Sequence, residues 1–117
     1  MKLLVVKTLL MVQDMDRAVK FYTETFALEA KVVSEYWSEL AFGNAIVALH
    51  GGHDGSENRV SLSFQVDDLT LAMARLIELG AKEVVAPHQR EGEPILYAEI
   101  ADPEGNIVMV TQYVGEA

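Results

Sequence analysis

Lys7 is the residue of this chain whose placement demands a chemical explanation. It interrupts the apolar run Leu3 to Val12, where an unpaired ammonium costs free energy. Three roles suit such an amine: an ion pair with a carboxylate, an anion contact, or a Schiff-base nucleophile. The sequence favours the ion pair, because nothing else in it supports carbonyl chemistry. His50-Gly51-Gly52-His53-Asp54 has a spacing at which a metal could be held, but glycine-rich loops hold ligands poorly, and the two histidines read as solvated. His88 follows Pro87 in a predicted loop and reads as surface. With no cysteine in the chain there is no thiolate metal site, disulfide or cysteine nucleophile. No phosphate loop, nucleotide fingerprint or Ser-His-Asp order is present.

The elements that position these residues come in two copies. Val12-Gln13-Asp14-Met15-Asp16-Arg17-Ala18-Val19 ends one apolar run, and Val66-Asp67-Asp68-Leu69-Thr70-Leu71-Ala72-Met73 ends another, 54 positions later. In the first copy the pattern predicts a buried strand from Leu3 to Val12 and a helix to about Ala27, capped by Asp14 or Asp16, with Ala18, Phe21, Tyr22 and Phe26 on one face. Strands follow at Lys31 to Glu35, Trp37 to Phe42 and Ala45 to His50, the last two joined by Gly43-Asn44. Gly51 to Ser56 reads as a flexible linker. The second copy has a strand from Arg59 to Val66 and a helix capped by Asp67 or Asp68, carrying Leu69, Ala72, Leu76 and Leu79 and closed by Gly80. A weak strand near Glu83 to Val85 and a loop holding Pro87, Gly92 and Pro94 come next. Strands at Ile95 to Ala101 and Ile107 to Tyr113 flank the turn Asp102-Pro103-Glu104-Gly105-Asn106. The prediction is one α+β domain over residues 1–117, made of two tandem βαβββ modules at 1–52 and 58–115. They form a curved mixed sheet with helices on its convex side. Neither module can bury its own sheet face alone.

Composition narrows the partners. The formal net charge is −9 with a pI near 4.6. Such a surface repels nucleic acid and anionic membranes, so neither is expected as a partner. Met1 to Val12 is too short to span a bilayer, and no small-residue cleavage pattern follows it. A cytoplasmic location fits the absence of cysteine.

The strand-to-helix junction before Arg17-Ala18-Val19-Lys20-Phe21-Tyr22, its second copy at Val66-Asp67-Asp68, and the Asp102-Pro103-Glu104-Gly105-Asn106 turn together resemble the vicinal oxygen chelate superfamily: glyoxalase I, bleomycin-resistance proteins and extradiol dioxygenases. The resemblance runs over essentially the whole chain. In metal-dependent members four inward side chains, usually His, Glu or Gln, hold one divalent metal. Carried over, those positions are Lys7, Ala48, Ser61 and Met109. None is a plausible ligand: a protonated lysine has no lone pair, alanine offers nothing, serine is weak, and thioether sulfur is too soft for such sites. The expectation is therefore no metal and no other cofactor.

Strand alternation places Lys7, Leu9 and Met11 on one face, and Ser61, Ser63 and Gln65 on another. The geometry of the family that the chain resembles makes these the cup face and adds Trp37, Glu39 and Ala41, Ala48 and His50, Tyr97 and Glu99, and Met109 and Thr111. The candidate ligand-binding set is Lys7, Leu9, Met11, Trp37, Glu39, His50, Ser61, Ser63, Tyr97, Glu99 and Met109, with Glu39 or Glu99 as the partner of Lys7. Its mixture of apolar, aromatic and polar groups suits a small organic molecule. Trp37 serves equally as packed core or dimer contact, and Met11 and Met109 as gap-fillers. The resemblance implies a metal-free binder of the bleomycin-resistance type, a homodimer with clefts at the subunit interface that sequesters a cationic or aromatic antibiotic-like ligand. The alternatives are a lyase or isomerase of the lactoylglutathione-lyase kind, acting through Glu39, Glu99 or His50 with or without a relocated metal, and a scaffold with a vestigial cleft.

Overall fold

The computed structural model describes residues 1–115. The chain runs β1 (Lys7–Met11), α1 (Met15–Thr25), β2 (Glu29–Val33), β3 (Trp37–Phe42), β4 (Ala45–His50), β5 (Asn58–Val66), α2 (Leu69–Glu78), β6 (Lys82–Gln89), β7 (Ile95–Ala101) and β8 (Asn106–Tyr113). Two mixed four-stranded sheets result, ordered β1-β4-β3-β2 and β5-β8-β7-β6. In each, the strand before the helix pairs in parallel with the last strand of its module. The tandem βαβββ plan is thus the observed one.

Both helices start as the acidic junctions require. Asp14 and Asp68 are the caps, each accepting a hydrogen bond at 3.1 Å from the backbone three residues on, Arg17 N and Leu71 N. Helix α1 buries Met15, Ala18, Phe21 and Tyr22, and α2 buries Leu69, Met73 and Leu76, stripes at helical spacing. Ala27, with φ +56°, turns the chain out of α1, and Gly80, with φ +116°, does so after α2. The stripes share one core with Leu10, Leu40, Leu49, Ile100, Val108 and Val110. Phe26, which caps the C-terminus of α1, stacks on Phe64 of β5 at 4.0 Å between ring centroids, so the core is continuous across the modules.

A buried polar clasp reinforces that junction. Asp102 accepts from the Tyr22 hydroxyl at 2.6 Å, from Asn106 Nδ2 at 2.9 Å and from the backbone N–H groups of Glu104 and Asn106. Glu104, only 1% exposed, accepts from the backbone N–H of Gln13 and of Asp14 and from the Arg17 guanidinium at 2.6 Å. Asn106 exchanges two bonds with the Met11 backbone. The turn of the second module therefore fastens the strand-to-helix junction of the first.

Several boundaries differ from the sequence expectation. β1 begins at Lys7, not Leu3, and Leu3, Leu4, Val5 and Val6 are 50–82% exposed rather than buried. The reason is length: Lys7 pairs with Ile46, and β4 starts only one residue earlier, so residues 1–6 outrun their partner strand. β2 lies two residues earlier than expected. β6 reaches Gln89 and takes in Pro87 and His88, which the sequence assigns to a loop; at the sheet edge proline interrupts no needed ladder bond. The linker is not loose. Gly51 N donates to Tyr36 O, His53 N to Val12 O, and Asn58 N to Gly105 O. Among the described residues no helix is long and apolar enough to cross a membrane.

Candidate functional site

Alternation assigns the two faces of each sheet. Leu10, Leu40, Val47 and Leu49 in the first sheet, and Ala98, Ile100, Val108 and Val110 in the second, point into the core. Their neighbours point the other way: Lys7, Leu9, Met11, Trp37, Glu39 and His50 in the first module, and Ser61, Ser63, Tyr97, Glu99 and Met109 in the second. Every sequence-chosen residue thus lies on a non-core face. Leu9, His50, Ser61 and Ser63 are exposed, Met11 and Met109 half-buried.

In the first module Lys7 Nζ meets Glu39 Oε2 at 2.9 Å. The Trp37 indole N–H donates to the same oxygen at 2.8 Å. The Lys7 ammonium lies 5.4 Å from the centre of the Trp37 ring, and His50 stands edge-on to that ring at 6.2 Å. β3 puts Trp37 and Glu39 two residues apart on one face, and the β3–β4 ladder sets Trp37 opposite His50 and Glu39 opposite Ala48. The indole hydrogen bond, then that of Lys7, holds the Glu39 carboxyl below the usual carboxylate range.

The second module repeats this plan with different residues. Glu99 takes an ion pair from Arg59 and a hydrogen bond from the Tyr97 hydroxyl. The Tyr97 bond, followed by Arg59, lowers the Glu99 pKa; burial and the same bond raise that of Tyr97. Arg90 lies over the Tyr97 ring at 4.4 Å and His88 meets its edge at 5.4 Å. A small cleft of about 150 Å³ opens here between Arg59, Ser61, Tyr97, Glu99 and Met109.

Lys7 therefore chooses Glu39 over Glu99, and the pair is partly exposed, at 29% and 21% of the two side chains. Arg59, Arg90 and His88 are the residues that sequence reasoning missed. By the 54-residue repeat the counterpart of Lys7 is Ser61. The ladders say otherwise: Lys7 pairs with Ile46, which pairs with Ala41, while Arg59 pairs with Ile107, which pairs with Ala101. β5 advances from Arg59 to Ser63 while β8 advances only from Ile107 to Met109, and this irregularity brings Arg59 level with Lys7. The signal in the sequence was the pair Trp37-x-Glu39 and Tyr97-x-Glu99, an aromatic donor two residues before a glutamate in both hairpins.

The positions that would hold the family metal do not fit one. The Lys7 ammonium is committed to Glu39, Ala48 is wholly buried with no donor, and Ser61 and Met109 offer a hydroxyl and a thioether. His50 and His53 diverge: His50 faces Trp37, and His53 Nε2 contacts Ser56 O at 3.0 Å. Glu39 and Glu99 sit in separate ion pairs. Among the described residues no three His, Asp or Glu side chains meet as a metal requires.

Comparison with known proteins agrees with this architecture. No curated protein sequence matches the chain. Among solved structures, a glyoxalase/bleomycin resistance protein/dioxygenase family enzyme from Burkholderia phytofirmans superposes with a TM-score of 0.77 at 18% identity, covering 92% of this chain and 96% of that one. An integron cassette protein from the mobile metagenome of Vibrio cholerae is 26% identical, with a TM-score of 0.69 over 97% and 98% of the chains. The bleomycin-binding protein of Streptomyces verticillus, solved with copper(II)-bleomycin, gives 0.70 at 16% identity over 96% and 98%. Residues 6–111 match the Glyoxalase-like domain profile. Fold and profile agree that this chain belongs to the glyoxalase-like domain family.

Proposed function

We propose that this protein is a metal-independent small-molecule binder, active as a homodimer, that holds a cationic or aromatic ligand on its two cup faces. The observation that carries this reading is the duplicated set of aromatic ring, carboxylate and cation: Trp37, Glu39 and Lys7 in one module, Tyr97, Glu99 and Arg59 in the other. Each ring already has a protein cation over it, Lys7 and Arg90, so each is placed to favour positive charge. Net charge of −9 concentrates cations near the surface.

The same geometry argues against proton abstraction by the glutamates. A general base working near neutrality has a pKa near the working pH, whereas Glu39 and Glu99 are lowered and each is bonded twice. The lyase or isomerase alternative then rests on His50, exposed beside Trp37.

Trp37 is the only tryptophan, so its fluorescence reports directly on the first cup. Titration with metal-free bleomycin and with a planar acridinium cation should give saturable quenching that survives a chelator and weakens at least tenfold in Glu39→Gln. Absence of saturable binding to either probe, or binding only after a divalent metal is added, overturns the reading. Turnover of a ketoaldehyde–thiol adduct that is lost in His50→Ala would establish the enzyme alternative instead.

A further inference from the structure

The two cups share a plan but differ in the hydrogen-bonding atoms they leave over. In the first, Lys7 Nζ and the Trp37 indole N–H both donate to Oε2 of Glu39. Among the described residues nothing donates to Oε1, and the Glu39 side chain is 21% exposed. That cup keeps an open carboxylate oxygen. In the second, Arg59 Nη1 donates to Oε1 of Glu99 and the Tyr97 hydroxyl to Oε2. Both oxygens are engaged, and what remains is donors. A guanidinium carries a fork of N–H donors and no acceptor, and Arg59 directs only Nη1 at Glu99. Ser61 adds a hydroxyl to the wall of the cleft of about 150 Å³.

Charge divides in the same way. Lys7 and Glu39 cancel, whereas Arg59 and Arg90 both act on the single carboxylate of Glu99. Two further acids stand outside: Glu93 is 3.9 Å from Arg90, and Glu57 acts on Arg59 without a hydrogen bond. Arg90 is held in place by the turn that follows β6. Glu93 N donates to Arg90 O at 3.2 Å, and Gln89 Nε2 donates to Glu93 O at 3.1 Å. The guanidinium so placed lies 4.4 Å over the Tyr97 ring, while 52% of the Arg90 side chain stays exposed.

We propose that the second cup is a seat for a small aromatic carboxylate, in which Arg59 and Ser61 donate to the carboxylate and Arg90 stacks between the ligand ring and Tyr97. The inference rests on the cup faces being the binding surface, as proposed above, and divides the ligand classes between them: cation to the first, aromatic acid to the second. Tyr97 has no face to offer a ligand cation, being 8% exposed with Arg90 already over it. A carboxylate matches the guanidinium fork, and the outer side of a planar guanidinium stacks on an aromatic ring. The open Oε1 of Glu39, itself an acceptor, rejects the same ligand from the first cup. The net charge of −9 is screened beyond about 10 Å, so the groups in contact decide.

Benzoate and benzamidinium have the same planar shape and opposite charge. Amide chemical shifts of isotope-labelled protein are followed during titration with each, alongside Trp37 fluorescence. Benzoate should shift the amides of Ser61, Tyr97 and Glu99 saturably, leave Trp37 emission unchanged, and lose at least about tenfold in affinity in Arg59→Gln and in Arg90→Gln. Arg59→Lys keeps a cation for Glu99 and guards against loss of the fold; it should still bind benzoate more weakly, because a point charge replaces the fork. Benzoate that shifts no amide of the second cup, or shifts those of Lys7 and His50 instead, overturns the inference. Tighter binding of benzamidinium than of benzoate at the second cup overturns it too, as does unchanged affinity in both glutamine variants. Benzoate seated at the second cup while benzamidinium leaves the first untouched upholds the inference and overturns the cationic reading of the first cup; the reverse pattern does the opposite.

Discussion

The clasp and the cup use the same chemistry, carboxylates surrounded by donors, to opposite ends. In the clasp Asp102 and Glu104 are 4% and 1% exposed, and their oxygens are taken up by backbone N–H groups, Asn106, Tyr22 and Arg17. No buried side-chain polar atom is left without a partner among the described residues. In the cup Glu39 and Glu99 each hold two side chains, and their cations reach water. Backbone donors on both sides of a module junction fix geometry, whereas side-chain donors at a surface can be exchanged for a ligand's groups. The clasp assembles the molecule; the cations of the cup stay open to water.

The comparison is broken most severely at Glu104. Glu104→Ala strips acceptors from Gln13 N, Asp14 N and the Arg17 guanidinium, and removal of one partner from a buried ionic network costs about 3–5 kcal/mol. Denaturant unfolding should show that loss, and Glu104→Gln should lose less because one oxygen remains. Next comes Tyr22→Phe, which removes the 2.6 Å bond to Asp102 while Asn106 still serves that oxygen. It should cost about 1–2 kcal/mol and leave ligand binding unchanged.

Smaller still is the effect of Lys7. Because the Lys7–Glu39 pair is open to solvent and screened, Lys7→Ala should shift the unfolding midpoint several-fold less than Glu104→Ala. Lys7→Met keeps the packed stem and should shift it less again. A Lys7→Ala variant as damaging as Glu104→Ala would erase the distinction between the two regions.

The smallest effect is on the pH profile, where the regions should differ in sign. Glu39 and Glu99 have lowered pKa values, so they contribute stability above the ordinary carboxylate range and lose it as pH falls below about 4.5. Asp102 is raised, chiefly by burial. The folded state holds its proton to higher pH than the unfolded chain does, so its contribution declines as pH rises through that window. Unfolding followed from pH 3 to 7 should show a flatter acid limb in Glu39→Gln/Glu99→Gln than in the parent.

The sequence carried the fold because the fold's signals are local. An aspartate cap before an apolar stripe, a Gly-Asn turn between alternating strands and their recurrence after 54 residues need no knowledge of distant contacts. β3, β4 and β7 begin and end where alternation puts them. What failed was non-local. Hydropathy marks residues 3–6 as a strand, but a strand also needs a neighbour, and β4 is too short to supply one. Arg59 was passed over because the repeat spacing counts residues, while the ladder counts hydrogen-bonded pairs and β5 departs from that count. In the sequence Glu104 is only one residue of the Asp102–Asn106 turn; its partners lie 87 to 91 residues away.

Gly105 carries a consequence for how two copies can combine. Its φ is +94°, and a Cβ there would lie 2.6 Å from the Gly55 carbonyl oxygen and 2.7 Å from that of Ser56. The crossover between the modules is thus laid directly against the turn that fastens them, with Asn58 N bonded to Gly105 O at 2.9 Å. It has no slack to act as a hinge. Trading whole modules between chains would re-form the clasp between partners but pull the crossover off Gly105, so this contact favours a chain that closes its two modules on each other.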